Sequence, residues 1–315
     1  MLDRLEPLVS EPATYAFVVV LGLLWGSFAN VCIYRWPPTA EHPRGRSVVA
    51  PGSHCAACQA PIAWYDNVPV LAWLWLRGRC RACGAGFSAR YVLVEAVTGA
   101  LFGVAWWFAV VATAGAEPLG ARLCHFAVDA AFIYVLVVIA FIDLDHKLIL
   151  NKVTVPSIAI FYAASFLWSD RHWYDGVVGA AVGYGLPWAI GEVYYRVTRR
   201  EGMGLGDGML LALVGALLGW RGVLVALFGG SVVGSVLGIA ALLAGRGGEA
   251  PDREIGGAAT PPLAAPAADA GGGGDGEPPS LMRTELPFGP FLAIAALFYL
   301  FAEPFIQLHF RLPGG

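Results

Sequence analysis

Phe132-Ile133-Tyr134-Val135-Leu136-Val137-Val138-Ile139-Ala140-Phe141-Ile142-Asp143 runs eleven apolar residues straight into a carboxylate. It is the second half of an apolar segment spanning about 122–142, long enough for the roughly 20 helical residues that cross a ~30 Å hydrocarbon layer. Seven more segments of this kind are expected near 14–34, 91–112, 152–168, 175–196, 207–220, 222–244 and 288–308. The sixth and seventh of the eight are separated only by Trp220-Arg221, so they read as a tight hairpin or a partly re-entrant pair. With 57% hydrophobic and 14% charged residues, the chain is too apolar for a soluble domain of its length. The fold class is therefore an all-α polytopic membrane protein of about eight transmembrane helices. The segment Tyr15 to Tyr34 lacks a basic leader and a small-residue cleavage site, so it reads as a retained helix and not as a signal peptide.

The basic residues give an orientation. With the amino terminus outside, fifteen of the twenty Lys and Arg fall on inner loops, and the outer side keeps Arg4, Arg122, Arg171, Arg221 and Arg311. By the positive-inside rule the loops around 36–90, 143–151, 197–206 and 245–287 face the cytoplasm. Trp106, Trp107, Trp168, Trp173, Tyr174 and Trp220 are expected at the outer interface. Small residues four apart, Gly179/Gly183 and Gly230/Gly234/Gly238, read as close helix packing. Residues 245–286, rich in Ala, Gly and Pro, are expected to be a disordered cytoplasmic linker. The organisation expected is a first helix (1–35), a cytoplasmic loop domain (36–90), a membrane core (91–244), the linker, and a last helix with its tail (287–315). A net charge of −3 without any dense Lys/Arg run argues against a nucleic-acid partner; the expected surroundings are membrane lipid.

Six cysteines divide into two kinds. Cys55-x-x-Cys58 and Cys80-x-x-Cys83 form two knuckles, which together supply the four soft ligands of a tetrahedral structural Zn²⁺. A pair of disulfides or redox dithiols is the alternative, disfavoured in the reducing cytoplasm where the orientation puts this loop. Four protein ligands leave the metal no open position, so catalysis by zinc is not expected. His54 is expected to be a surface or outer neighbour of the cluster, and Cys32 and Cys124 are expected to be packing residues.

Ionisable groups near hydrocarbon are functional candidates by default. Asp143 closes the third span in Phe141-Ile142-Asp143-Leu144-Asp145-His146, and Asp207 opens the sixth in Gly202-Met203-Gly204-Leu205-Gly206-Asp207. Both fall on the inner face. Two close carboxylates do not both ionise; one keeps a proton while the other activates a water against a peptide carbonyl. Gly202, Gly204 and Gly206 would allow unusual backbone angles beside a substrate. On spacing alone, an N-cap role for Asp207 and an interfacial role for Asp143 or Asp145 remain the alternative.

Several strings together resemble the bacterial type IV prepilin peptidase family, the leader peptidase/N-methyltransferases. They are Gly26-Ser27-Phe28-Ala29-Asn30-Val31-Cys32-Ile33-Tyr34-Arg35, then Trp64-Tyr65-Asp66-Asn67-Val68-Pro69-Val70, then Ser88-Ala89-Arg90-Tyr91 with Glu95. The Asp143 and Asp207 segments and Pro287-Phe288-Gly289-Pro290-Phe291 complete the set, which covers nearly all of the chain outside 1–14 and the linker. The resemblance implies a GxGD-type aspartic peptidase of the bacterial inner membrane with Asp143 and Asp207 at the catalytic positions. Its substrates would be type IV prepilins or type II secretion pseudopilins, cut after a leader-terminal Gly. It also implies N-methylation of the new amino terminus from S-adenosylmethionine, although no Rossmann-type glycine fingerprint places that cofactor. Two positions depart from the family pattern: Leu150 stands where Pro is expected, and Met209 where Lys is expected. They leave open a peptidase-only relative or a catalytically decayed assembly factor.

Overall fold

In the computed structural model, the described residues are 6–168, 171–199, 204–245 and 287–310. The expected linker lies almost wholly outside them, as does Gly202. Helices occupy each predicted apolar segment: α1 (Pro12–Arg35), α3 (Arg90–Trp106, continued by a π turn at Trp107–Val111), α4 (Leu119–His146), α5 (Asn151–Ser165), α6 (Trp173–Thr198), α7 (Leu205–Gly245) and α8 (Gly289–Phe310). A short helix in the loop domain, α2 (Leu71–Leu76), and a 3₁₀ turn at Trp64–Asn67 were not among the predicted elements. Among the described residues there is no strand, only two isolated bridges, His54 with Pro61 and Arg79 with Gly86. Among the described residues, four helices are long and apolar enough to cross a membrane: Pro12–Arg35, Arg90–Val111, Leu119–His146 and Leu205–Ala240.

The last of these is not one straight rod. Gly219, at φ 69° and ψ −178°, breaks the helix, a conformation that suits glycine. Before the break, α7 runs antiparallel to α6: a Cβ on Gly176 would meet Ala216, and one on Gly208 would meet Tyr184. After it, α7 runs antiparallel to α8, with Gly222 beside Tyr299 and Gly234 beside Phe291. Arg171 joins the two halves at the far end, donating to the Leu217 carbonyl and to Glu303. The chain therefore turns back at Gly219, as the hairpin and the re-entrant readings both require.

Helices α1 and α3 are also antiparallel and nearly in backbone contact. A Cβ on Gly26 would come 2.7 Å from the Glu95 Cα, and one on Gly22 would come 2.8 Å from the Gly99 Cα. Small residues let backbones approach this closely, which is how helices associate where the surrounding lipid is as apolar as their side chains. The core is a continuous apolar cluster that includes Phe132, Ile133, Leu136, Ile139, Leu210, Leu213 and Leu292.

These contacts sort the helix ends into two faces. On one, Lys152 donates to the Trp36 and Arg44 carbonyls, Arg90 pairs with Asp145, and Gly289 donates to Asp143. On the other, Trp106 donates to the Val9 carbonyl, Arg122 pairs with Glu6, and Arg171 with Glu303. Two expectations are corrected here. Trp106 is buried at 5% exposure, because its indole closes over the residues leading into α1. Cys124 is exposed, on the outward side of α4, whereas Cys32 is fully buried.

Candidate active site and cysteine cluster

Asp143 is built into the last turn of α4, where it is 6% exposed. Its Oδ2 accepts the Gly289 N–H at 2.9 Å, at the first residue of α8. Only glycine fits there: a Cβ would sit 2.7 Å from the same oxygen. The other oxygen, Oδ1, is engaged by no described residue. Asp207 lies in the first turn of α7, three residues past Gly204, whose carbonyl accepts the Asp207 N–H at 3.1 Å. It is thus inside the helix and not its N-cap. The charge of Asp143 reaches Asp207, so the two carboxylates share one neighbourhood at one face of the bundle. Gly204 and Gly206 flank it. Gly204 is open toward Asp207, and Gly206 packs against Ile149, with a Cβ there 3.0 Å from the isoleucine's own.

Asp145, two residues from Asp143, has different surroundings. Its Oδ2 is 2.6 Å from the Arg90 guanidinium, which also donates to the Phe141 carbonyl and lies over the Phe141 ring. The first turn of α3 thus neutralises Asp145, while Asp143 has no cation partner among the described residues. Glu95, one turn further along α3, accepts the Val70 N–H at 2.7 Å and ties the loop domain to the bundle. Arg35, buried at the end of α1, donates to the Ser47 and Pro51 carbonyls and anchors the loop's other arm. Neither departure from the family pattern disturbs this frame. Leu150 is buried just before α5 with φ −82° and ψ 111°, angles that proline also adopts. Met209 is half-buried in the first turns of α7.

Sequence reasoning missed Gly289 as a partner of Asp143; only the string containing it stood out. It also missed Asp129, whose Oδ1 is buried without a partner inside α4, within charge range of Arg171 and Glu303. The signal was present, an acidic residue well inside an apolar span.

The four cysteines converge. Their sulfurs all lie within 4.8 Å of one another, and Cys55 and Cys83 are 3.8 Å apart. A tetrahedron with ~2.3 Å metal–sulfur bonds needs sulfurs about 3.8 Å apart. The knuckles repeat one design. In the first, the Cys55 N–H reaches Ala60 and the Gln59 N–H returns to Cys55; in the second, Cys80 reaches Ala85 and Gly84 returns to Cys80. Gln59 and Gly84 take the matching positive φ, 59° and 75°. Amide donation, first from Cys58 and then from Ala57, outweighs burial and holds the Cys55 thiol down to about 6. The Ala85 N–H pulls Cys83 the same way, but the sulfurs of Cys58, Cys80 and Cys55, with burial, push it up to about 12. Four thiolates this close need a cation, so the donor set fits a metal. His54 turns away to the Gly52 carbonyl, 2.9 Å from its Nδ1. Arg81 bridges the module's halves through two bonds to Asp66, and this pairing keeps the Asp66 carboxyl below its ordinary range.

Comparison with known proteins points one way. A family model described as the bacterial Peptidase A24 N-terminal domain matches residues 20–109, and one described as the type IV leader peptidase family matches residues 130–239. A prepilin leader peptidase/N-methyltransferase of Myxococcus xanthus is 36% identical over 94% of this chain and 92% of its own length. Proteins of the same name from Stutzerimonas stutzeri (33% identical, 93% of each chain) and Dichelobacter nodosus (30%, 98% of this chain and 99% of its own) align equally fully. No solved structure matches the chain.

Proposed function

The chain belongs to the type IV leader peptidase family, and we propose that it is the aspartic endopeptidase that removes prepilin leaders, with Asp143 and Asp207 as its catalytic pair. The observation that carries the assignment is the meeting of two elements distant in sequence. The Asp143 carboxylate, pinned through one oxygen to Gly289, bears on Asp207 with its charge, and no cation among the described residues pairs with it.

In this mechanism one carboxylate of the pair holds a proton and the other is ionised. The ionised one takes a proton from water, the resulting hydroxide adds to the scissile carbonyl, and the protonated one returns a proton to the leaving amine. The backbone bond from Gly289 fixes Oδ2 and leaves Oδ1 for the water. Gly204, open beside Asp207, gives an extended peptide room to approach.

The substrates in this reading are type IV prepilins or type II secretion pseudopilins, cut after a Gly at the cytoplasmic face of a bacterial inner membrane. The excess of basic residues on the face carrying both aspartates supports that orientation. The reversal at Gly219 supports eight crossings, counting α7 as two, with the first of these unusually short. Cys55, Cys58, Cys80 and Cys83 would hold a structural Zn²⁺ that contributes much of the loop domain's folding free energy. The names of the full-length relatives support a second activity, N-methylation of the exposed amino terminus, for which S-adenosylmethionine would supply the methyl group. The test is direct: purified protein incubated with a prepilin is expected to yield mature pilin shortened by its leader. An intact prepilin after prolonged incubation, with the protein folded, would favour the decayed-factor reading that Met209 raises.

A further inference from the structure

The loop domain carries an apolar surface that its own fold does not use. Along α2, Leu71, Leu74 and Trp75 are 64%, 57% and 82% exposed, and they stand at i, i+3 and i+4, so they form one stripe. None of the six α2 residues is buried. The opposite side is the attached one: the Trp73 indole donates to the Phe87 carbonyl, and its ring closes over Gly78. A soluble module of this size would turn such a stripe inward.

The position of α2 along the bundle accounts for the stripe. The Val70 N–H, at the start of α2, bonds to Glu95, and Trp73 shares a groove with Ala89, Arg90, Val92, Leu93 and Ala96 of α3. Ala96 is six residues into α3, about 9 Å along its axis. α2 therefore lies beside the first two turns of a membrane-crossing helix, at the ~5–10 Å depth where an interfacial helix buries its apolar face. The charges agree with such a seat. Residues 36–90 hold Arg44, Arg46, Arg77, Arg79, Arg81 and Arg90 against only Glu41 and Asp66. Arg81 and Arg90 are used internally by Asp66 and Asp145. Arg77 and Arg79, directly after α2, are exposed and have no side-chain partner among the described residues.

We propose that α2 is an interfacial docking helix, which seats the cysteine module on an anionic bilayer surface with Leu71, Leu74 and Trp75 among the acyl chains and Arg77 and Arg79 at the headgroups. The partner is recognised by two chemistries at once, apolar area and anionic charge. This does not depend on the aspartates or on any catalytic reading.

The test places a photoreactive benzoylphenylalanine at position 75 of the full chain, and separately at position 74 in case the first substitution perturbs folding. The protein is reconstituted in nanodiscs of phosphatidylcholine containing a minority of phosphatidylglycerol. Illumination is expected to give phospholipid adducts on the α2 peptide, with phosphatidylglycerol at least threefold over its share of the bilayer. Arg77→Gln with Arg79→Gln should bring that enrichment back to the bulk ratio while adducts persist. Probes at both positions giving no lipid adduct, or cross-linking to a second copy of the chain or to another protein, would overturn the proposal. Adducts in which phosphatidylglycerol appears only at its bulk share would overturn the anionic assignment.

Discussion

Asp143 and Asp145 sit two residues apart on one helix, and their neighbours separate them. Arg90 satisfies Asp145 at 2.6 Å, while among the described residues the only bond to the Asp143 side chain is the Gly289 N–H. Asp143→Asn and Asp207→Asn are each expected to lower prepilin cleavage at least about 100-fold, since asparagine can neither take a proton from water nor return one. The double variant should be hardly worse than either single one, because the two act as a unit. Asp145→Asn should retain cleavage and lose about 1 kcal/mol of stability at most, the scale of a partly exposed ion pair. Cleavage assays and detergent melts on the four variants decide this, and full activity in either Asp143→Asn or Asp207→Asn would remove the pair from the mechanism. Gly289→Ala is a sharper probe. Its new Cβ would press on Asp143 Oδ2 from 2.7 Å, so kcat should fall about tenfold or more with KM little changed, the mark of displaced chemistry and intact binding. At this scale the sequence was informative about residue type and silent about partners. A carboxylate ending an apolar run is visible at once; an arginine some fifty residues away that selects between two carboxylates is visible only in three dimensions.

Helix pairs extend the same lesson to elements. The small-residue spacing at Gly179/Gly183 marks one side of a contact, and the other side is Gly215 with Leu211, which no pattern in α6 could name. A Cβ on Gly179 would run into the Gly215 backbone, and one on Gly215 into Gly179. Gly179→Leu is therefore expected to cost about 1–3 kcal/mol or more by forcing the helices apart. Gly185→Ala, on the same helix with nothing within 4 Å, should be neutral or stabilising by up to about 1 kcal/mol through helix propensity. Thermal unfolding of the two variants would distinguish this backbone contact from a generic glycine effect. In the second spacing, Gly234 meets only the Phe291 ring, which can give way, so its substitution should be milder, whereas Gly230 lies against the backbone of Leu292 as well as its side chain. The cysteine module is an element of another kind, for its spacing alone picked out the four cysteines that converge. Purified protein should carry one zinc per chain. Replacing the four cysteines by serine should abolish that zinc and open residues 36–90 to protease while the bundle resists. Zinc content unchanged in that variant would remove the assignment. What spacing could not reveal is how the module is attached, since Arg35 and Glu95 make that connection from inside the bundle.

For the whole molecule, hydropathy placed the helices to within a few residues, because apolar length is the quantity that a bilayer constrains. It did not reveal the break geometry at Gly219 or the shared face, which follow from contacts between helices. That face gathers the ends of α1, α4 and α7 that carry Arg35, Asp143 and Asp207, with the cysteine module attached to it. One orientation makes three features consistent. It puts most of the basic residues where the positive-inside rule needs them, keeps four thiols in a reducing compartment, and leaves both aspartates open to a leader peptide on the cytoplasmic side. The opposite orientation would place the cysteine cluster among oxidants and most of the arginines outside. The prediction is that Lys147→Cys, at the end of α4 beside Asp143, reacts with a membrane-impermeant thiol reagent only in inverted vesicles. Glu117→Cys, at the other end of α4, should react only in intact spheroplasts. Because one helix of 28 residues separates the two positions, a single labelling pattern reports its direction without reference to the rest of the topology. Labelling of both positions from the same side would mean that α4 does not cross. Labelling in the reversed sense would put the aspartates on the outer face, where a leader held in the cytoplasm could not reach them, and the proposed peptidase mechanism would fail with the topology.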